Sequence, residues 1–498
     1  MKKNVYYVTT PIYYANAEPH IGHTYTTVVT DAVVRWKRQQ GFDAYSVSGS
    51  DQHGEKMVET AEKRGTPVRE LVDHFASVFE ATWAELDVAP SRFVRTSDPL
   101  HVRNVSAILQ QVYDAGWIEK REYAGRYCVG CERFLTERDL VDGKCRDHER
   151  VPELRQESNY FFLMSRAFGW LRDHYERNPE FLRPERYRNE ALAMLRDESG
   201  LGDLSISRPK TRLEWGIELP FDRDHVCYVW FDALITYLTG AGYPDDPAFE
   251  GRWANAEHLI GKDILKPHAI FWPIMLRAIG LAPPAQISVH GYWNVDDRKV
   301  SKSLGNMISP LAMRDRYGFE TFRWFLLREM SFGLDANFSE ESLVERVNAD
   351  LANNIGNLVS RTLNLVEKSC GGAIPEIGAA NDVDRAILEG AATAKERIDT
   401  AMQALQPHLA LAAIAEYASS VNRYVDGRAP WKTAKDPATA PEARTTLHFA
   451  CAALREIAGL LAPFIPLASQ RILEKLAASP ITRGEPLFPR VAMPADAD

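Results

Sequence analysis

The stretch NVYYVTTPIYYANAEPHIGHTYTTVVTDAVVRWKRQQGFDAYSVSGSD, residues 4–51, decides the fold. Asn4 to Thr10 alternate aromatic, β-branched and polar side chains as a strand does, and residues 11–19, with proline, asparagine and tyrosine, predict a loop. After Gly22 the apolar residues Val28, Val29, Ala32, Val33 and Trp36 recur at helical spacing until Gly41 stops the run. A second strand is predicted from Ala44 to Ser48, ending at Gly49-Ser50-Asp51. Strand, helix and strand at this length make a βαβ unit, the opening of a parallel α/β sheet that takes ligands at the carboxyl ends of its strands.

Working outward, the pattern breaks near Trp117 into a cysteine-bearing segment rich in charge and turns, and sheet-like runs return at Val226 to Phe231 and Ile287 to Val289. That predicts an insertion splitting one α/β domain. Beyond Glu340, Val344, Val347, Leu351, Ile355 and Leu358 form one apolar stripe, with further amphipathic runs to about Leu476, which predicts an all-helical bundle. The expected division is residues 1–117 and 226–292 for the two halves of the α/β domain, 118–225 for the insertion, 293–343 for a connecting region, 344–476 for the bundle and 477–498 for a polar, proline-rich tail.

A chain of 498 residues has room for about three domains. Its net charge of −9 argues against indiscriminate coating of nucleic acid, so any RNA partner must be read by shape and splayed bases. No apolar run is long enough for a membrane span, and Met1-Lys2-Lys3-Asn4 leads straight into a strand rather than a signal segment. Six cysteines in so long a chain do not make a disulfide framework; a soluble, cytoplasmic protein is expected.

Two short signatures carry chemistry. His20-Ile21-Gly22-His23 sits where strand passes into helix, offering imidazole donors and a glycine that lets phosphate approach unpaired helix amides. Lys299-Val300-Ser301-Lys302-Ser303 offers two ammonium groups and two hydroxyls on a loop. Either string alone reads more readily as a structural histidine or a solvated lysine loop; together they can grip one triphosphate, where positioning and electrostatics do most of the catalysis.

Other residues point to a pocket, a metal and a nucleic acid. Ile12, Tyr13 and Tyr14 precede the first signature, and Trp230 and Tyr237 lie seven positions apart, about two helical turns. Such aromatic walls suit a flexible thioether but also describe an ordinary core, and pocket chemistry by itself leaves methionine and leucine unseparated. Cys128-x2-Cys131 with Cys145-x2-His148 has the spacing of a closed, structural zinc site, with Asp147 a harder alternative to His148. Cys227, Cys370 and Cys451 lack such spacing and read as buried packing residues. Asn357 and Arg361, one turn apart, share a helix face, and Trp431 follows Pro430 in a connection where an indole can stack on a base.

The two signatures resemble the HIGH and KMSKS motifs of class I aminoacyl-tRNA synthetases, with Val300 where methionine is usual. Thr10-Pro11-Ile12-Tyr13-Tyr14-Ala15-Asn16, Gly49-Ser50-Asp51-Gln52-His53-Gly54, Tyr228-Val229-Trp230-Phe231-Asp232-Ala233 and Val289-His290-Gly291-Tyr292 all resemble the methionyl-tRNA synthetase family, in the family's order through essentially the whole chain. The resemblance implies a Rossmann-type sheet split by a zinc-bearing connective insertion, a KMSKS-loop and stem-contact region over 293–343, and an all-α anticodon-binding bundle. It implies Mg2+-bound ATP held by His20, Gly22, His23, Lys299, Ser301, Lys302 and Ser303, with His20, His23, Lys299 and Lys302 catalytic. Methionine would be held by Asp51 through its ammonium and by Ile12, Tyr14, Trp230, Ala233, Tyr237 and His290. One zinc ion on Cys128, Cys131, Cys145 and His148 would staple the insertion. Asn357, Arg361 and Trp431 would read the CAU anticodon of tRNA(Met), initiator included. Many relatives carry a further carboxy-terminal dimerisation module, so a monomer is expected. Branched-chain synthetases typically carry a longer editing insertion, and cysteine-specific ones place zinc in the active site; a small nucleotidyltransferase has no need of the bundle, and a non-catalytic tRNA binder no need of both signatures.

Overall fold

The computed structural model of the protein describes residues 4–131, 133–135, 137–146, 149–197, 201–295, 298–299 and 307–493. They fall into two compact units, Met1–Pro19 with Gly41–His290 and His20–Gln40 with Gly291–Asp498.

The first unit is built on six parallel strands: β1 (Val5–Tyr14), β2 (Asp43–Asp51), β3 (Arg92–Arg95), β4 (Leu182–Arg183), β5 (Ala256–Gly261) and β6 (Gln286–His290), in the order β3-β2-β1-β5-β6-β4. β5 is buried at every position, as a central parallel strand should be. β1 runs on past Thr10 to Tyr14 through a register shift, so the predicted loop begins later than its proline suggested. Gly49 is required by this packing. A Cβ there would lie 2.2 Å from the Val94 carbonyl oxygen and 2.9 Å from the Ile12 side chain.

The insertion is largely antiparallel. Ile118–Cys128 and Glu153–Phe162 form a long ladder that brings Tyr127 opposite Glu153. The predicted strand at Val226 to Phe231 is in fact two elements: the strand Asp222–Cys227 ends, and a helix Val229–Ala241 begins beyond Tyr228. An unbroken apolar run cannot distinguish the two by period. That strand also crosses the boundary expected at residue 225.

In the second unit, helix α1 (Ile21–Gln39) is buried over most of its circumference. Trp293–Val295, Arg298–Lys299 and Ala336–Phe338 make a small sheet. Helices from Glu340–Val347 to Pro466–Ala477 follow, including the predicted stripe, in which Leu351, Ile355 and Leu358 are fully buried. The backbone is a π-helix over Asn348–Gly356. Residues 478–493, expected as a tail, are not helical but return to this unit: Asn348 exchanges two hydrogen bonds with the Val491 backbone, and Ile481, Leu487 and Phe488 are buried. Among the described residues no helix is long and apolar enough to cross a membrane.

Candidate active site

α1 starts with histidines at its cap. His20 is the N-cap; its Nδ1 accepts the Gly22 amide at 3.1 Å, while His23 Nδ1 accepts the His20 amide at 3.3 Å, a reciprocal capping box. The two rings stack with centroids 3.8 Å apart. Because each Nδ1 accepts, each neutral ring carries its proton on Nε2, an assignment made from the hydrogen bonds. The sequence reading had Gly22 let phosphate approach unpaired helix amides, but the Gly22 amide is itself paired. The amide is occupied by His20, and a Cβ at Gly22 would crowd that ring, standing 3.0 Å from His20 Cε1.

The chain beyond the second signature meets the same helix end. Lys299 closes the short strand Arg298–Lys299 opposite Asn294, and just beyond the lysine loop the Ile308 carbonyl accepts the Ile21 amide at 3.0 Å. Val300, Ser301, Lys302 and Ser303 lie outside the described residues.

Of the residues expected around methionine, all in the first unit, four lie at or near the carboxyl ends of parallel strands, where such sheets take their ligands. Ile12 and Tyr14 lie near the end of β1, with Tyr14 in register with Asp51, the last residue of β2. His290 ends β6 opposite Gly261. Trp230, Ala233 and Tyr237 stand on the helix Val229–Ala241, as their spacing suggested. Asp51 is buried, and its Oδ1 lies 3.4 Å from the His53 amide. Tyr237 belongs to the core as well: its hydroxyl donates to His268 Nε2 at 2.7 Å, and its ring stacks on His258 with centroids 4.4 Å apart. His268 Nδ1 in turn meets the Ile264 carbonyl at 2.9 Å. Burial, the dominant cause, holds His268 down at about 4, so this ring is neutral with Nε2 as acceptor.

Sequence reasoning passed over three neighbours. His53 Nδ1 and His101 Nε2 meet the two oxygens of Asp232 at 2.6 and 2.7 Å. His53 and Asp232 lay inside quoted motifs but carried no pattern of their own; His101 gave no signal at all.

In the insertion the Sγ atoms of Cys128, Cys131 and Cys145 all lie within 4.8 Å of one another, with Cys128 and Cys145 buried. Three convergent thiols are a soft donor set that fits zinc. His148 and Asp147 are outside the described residues. Of the other cysteines, Cys227 and Cys451 are buried as expected, and burial pushes the Cys451 thiol up to about 12; Cys370 is only half-buried.

Asn357 is exposed at the first turn of the helix Asn357–Cys370, one turn before Arg361. The Arg361 guanidinium pairs with Asp426 at 2.6 Å and sits 4.4 Å from the centroid of the Trp431 indole. Arg361 thus has a carboxylate partner and at the same time lies against the Trp431 ring.

Comparison with known proteins agrees with this geometry. The family model "tRNA synthetases class I (M)" matches residues 6–150 and 137–363, and "Anticodon binding domain of methionyl tRNA ligase" matches residues 374–485. A methionine--tRNA ligase of Caldanaerobacter subterraneus is 39% identical over 98% of this chain and 79% of its own length. That of Deinococcus radiodurans is 42% identical over 95% of this chain and 70% of its own. The solved Mycobacterium tuberculosis methionyl-tRNA synthetase in complex with methionyl-adenylate is 38% identical and superposes with a TM-score of 0.91, covering 99% of this chain and 98% of that one. With both of its halves matched and full-length relatives near 40% identity, the chain belongs to the methionyl-tRNA synthetase family of class I aminoacyl-tRNA synthetases.

Proposed function

We propose that this chain activates L-methionine with ATP, releasing pyrophosphate, and transfers the methionyl group to the terminal adenosine of tRNA(Met), initiator tRNA included. The observation that carries the reading is the double cap of α1. It fixes both rings with Nδ1 turned into the cap and the proton on Nε2, at the helix end to which Ile308 is hydrogen-bonded. The methionine carboxylate attacks the α-phosphorus of Mg2+-ATP, and pyrophosphate leaves as the bond to it breaks. The two Nε2–H groups, with Lys299 and Lys302, neutralise phosphate charge; Gly22 makes room for the cap, and Ser301 and Ser303 add donors. A ribose hydroxyl of the tRNA then attacks the adenylate carbonyl, and AMP departs.

Asp51 pairs with the substrate ammonium, while Ile12, Tyr14, Trp230, Ala233, Tyr237 and His290 receive the thioether. With its hydroxyl already donated to His268, Tyr237 offers the substrate a ring rather than a polar contact. Cys128, Cys131 and Cys145, with His148, would hold one zinc ion, which would fasten the insertion rather than take part in catalysis. At the other end, an indole backed by the Arg361 guanidinium is a preorganised surface for stacking an anticodon base, beside exposed Asn357. The chain acts as a cytoplasmic monomer in this reading; sedimentation of the purified protein tests its size.

The central experiment is ATP–pyrophosphate exchange across all twenty amino acids. Methionine alone should support rapid exchange. Trp431→Ala should leave exchange intact while lowering tRNA charging at least about tenfold, as expected for a lost stacking contact. Equal loss of both steps would remove the anticodon assignment.

A further inference from the structure

We propose that Asp232, clamped between His53 and His101, is a positioning residue of the methionine pocket, an assignment that rests on the reading of Asp51 and Trp230 as methionine contacts.

The geometry joins three elements through one carboxylate. His53 lies two residues beyond the end of β2, and its amide faces Asp51 Oδ1. Asp232 stands in the first turn of the helix Val229–Ala241, between Trp230 and Ala233. His101 comes from the helix Pro99–Asp114. All three side chains are nearly inaccessible, at 5%, 1% and 0% relative exposure. The anchor is itself fixed: His101 Nδ1 lies 3.1 Å from Thr239 Oγ1, which takes an N–H from Asn104 at 3.2 Å. The Thr239 hydroxyl hydrogen is then available to His101 Nδ1, leaving Nε2–H for Asp232.

Burial acts to raise the Asp232 carboxyl, but its electrostatic interaction with His53 and the two imidazole hydrogen bonds outweigh it, so the group lies below the usual carboxylate range. A buried carboxylate in this place is costly, and apolar residues of similar volume would fill it at less expense of solvation. What they would not do is hold the Asp51 turn and the Trp230 turn at one fixed separation, as two charge-assisted hydrogen bonds do. The clamp touches no reacting atom. Its contribution should therefore appear in methionine binding and not in the chemical step.

The test is exchange kinetics on purified, zinc-loaded protein, with thermal melting as a check on folding. His53→Leu and His101→Leu should raise the KM for methionine about tenfold or more, the scale of a lost hydrogen bond to a charged group, with kcat and the KM for ATP within about threefold of the parent. His53→Asn, which keeps a donor near the Nδ1 position, and His101→Gln, which keeps one near Nε2, should recover most of that loss. If His53→Leu is unfolded at the assay temperature, His53→Asn against His53→Gln makes the same comparison, since the longer amide misplaces the donor. An unchanged methionine KM, a fall confined to kcat, or amide variants no better than leucine would each overturn the clamp. Failure of the parent chain to exchange with methionine would instead overturn the functional reading, and the clamp with it.

Discussion

At the scale of single residues, His20 holds two tasks in one ring. Nδ1 closes the cap of α1, and Nε2 is the atom assigned to phosphate. The tasks are separable, because asparagine is a strong N-cap but puts no donor where Nε2–H stands. His20→Asn should melt within about 0.5 kcal/mol of the parent, since one good cap replaces another. The kcat for methionine-dependent exchange should fall about 100-fold, the usual effect of removing one preorganised donor from a charged transition state. A large drop in melting temperature with exchange intact would make the histidine structural only. The sequence showed the motif but not this division, since the lists of favoured caps omit histidine and a glycine between histidines suggests open backbone. Asp51 is a different case: its place at the carboxyl end of a parallel strand could be read from the pattern, but an aspartate there is more often a turn residue, and only the family resemblance pointed it at the substrate ammonium. His101 was not, because its meaning comes from Asp232 and Thr239, more than a hundred positions away.

At the scale of elements, periodicity recovered the amphipathic pieces and missed what depends on long-range filling. The apolar stripe from Val344 to Leu358 was legible because it spans several turns, although the pattern gave no sign of the π-helix within it. Residues 478–493 looked like a tail because their few apolar side chains follow no period. Yet Gly356, at the end of the π-helix, leaves a gap in which its missing Cβ would be 3.5 Å from Phe488, and Arg483 reaches Ser360 at 2.9 Å. Phe488 is therefore a packing residue on an irregular strap. Phe488→Ala should cost about 2–3 kcal/mol, below the full range for a central phenylalanine because the site lies near the surface and can relax. Urea unfolding followed by far-ultraviolet circular dichroism measures it. A change under about 0.5 kcal/mol would mean that the strap is dispensable.

At the scale of the molecule, the instructive element is α1. By connection it is the crossover of a βαβ unit, which the sequence announced. By packing it belongs with the helical bundle, which no local pattern could announce: Trp36 Nε1 donates to Asp399 at 2.9 Å across 363 positions of chain, and Gln39 reaches the Gly459 carbonyl at 2.8 Å. The centre of this attachment is Arg323. Its guanidinium, 1% exposed, pairs with Asp31 of α1 at 2.6 Å and donates to the carbonyls of Pro463 and Phe464, beyond the helix Ala440–Leu461. The helix that begins with His20 is thereby tied into the unit that carries Arg361 and Trp431. Arg323→Met fills similar volume but leaves two carbonyls without their donor, while Asp31 keeps its ion pair with Arg35 at 2.8 Å. The loss should be about 3 kcal/mol, at the lower end for breaking a buried pair because Arg35 still compensates Asp31. Asp31→Asn should cost less, and the double variant should be more stable than the sum of the two losses predicts, with a coupling of about 1–2 kcal/mol expected for groups in direct contact. Chemical denaturation of the four proteins closes the cycle. Strict additivity, or an Arg323→Met protein as stable as its parent, would show that α1 is held by its apolar faces alone and that the ion pair contributes nothing to joining it to the bundle.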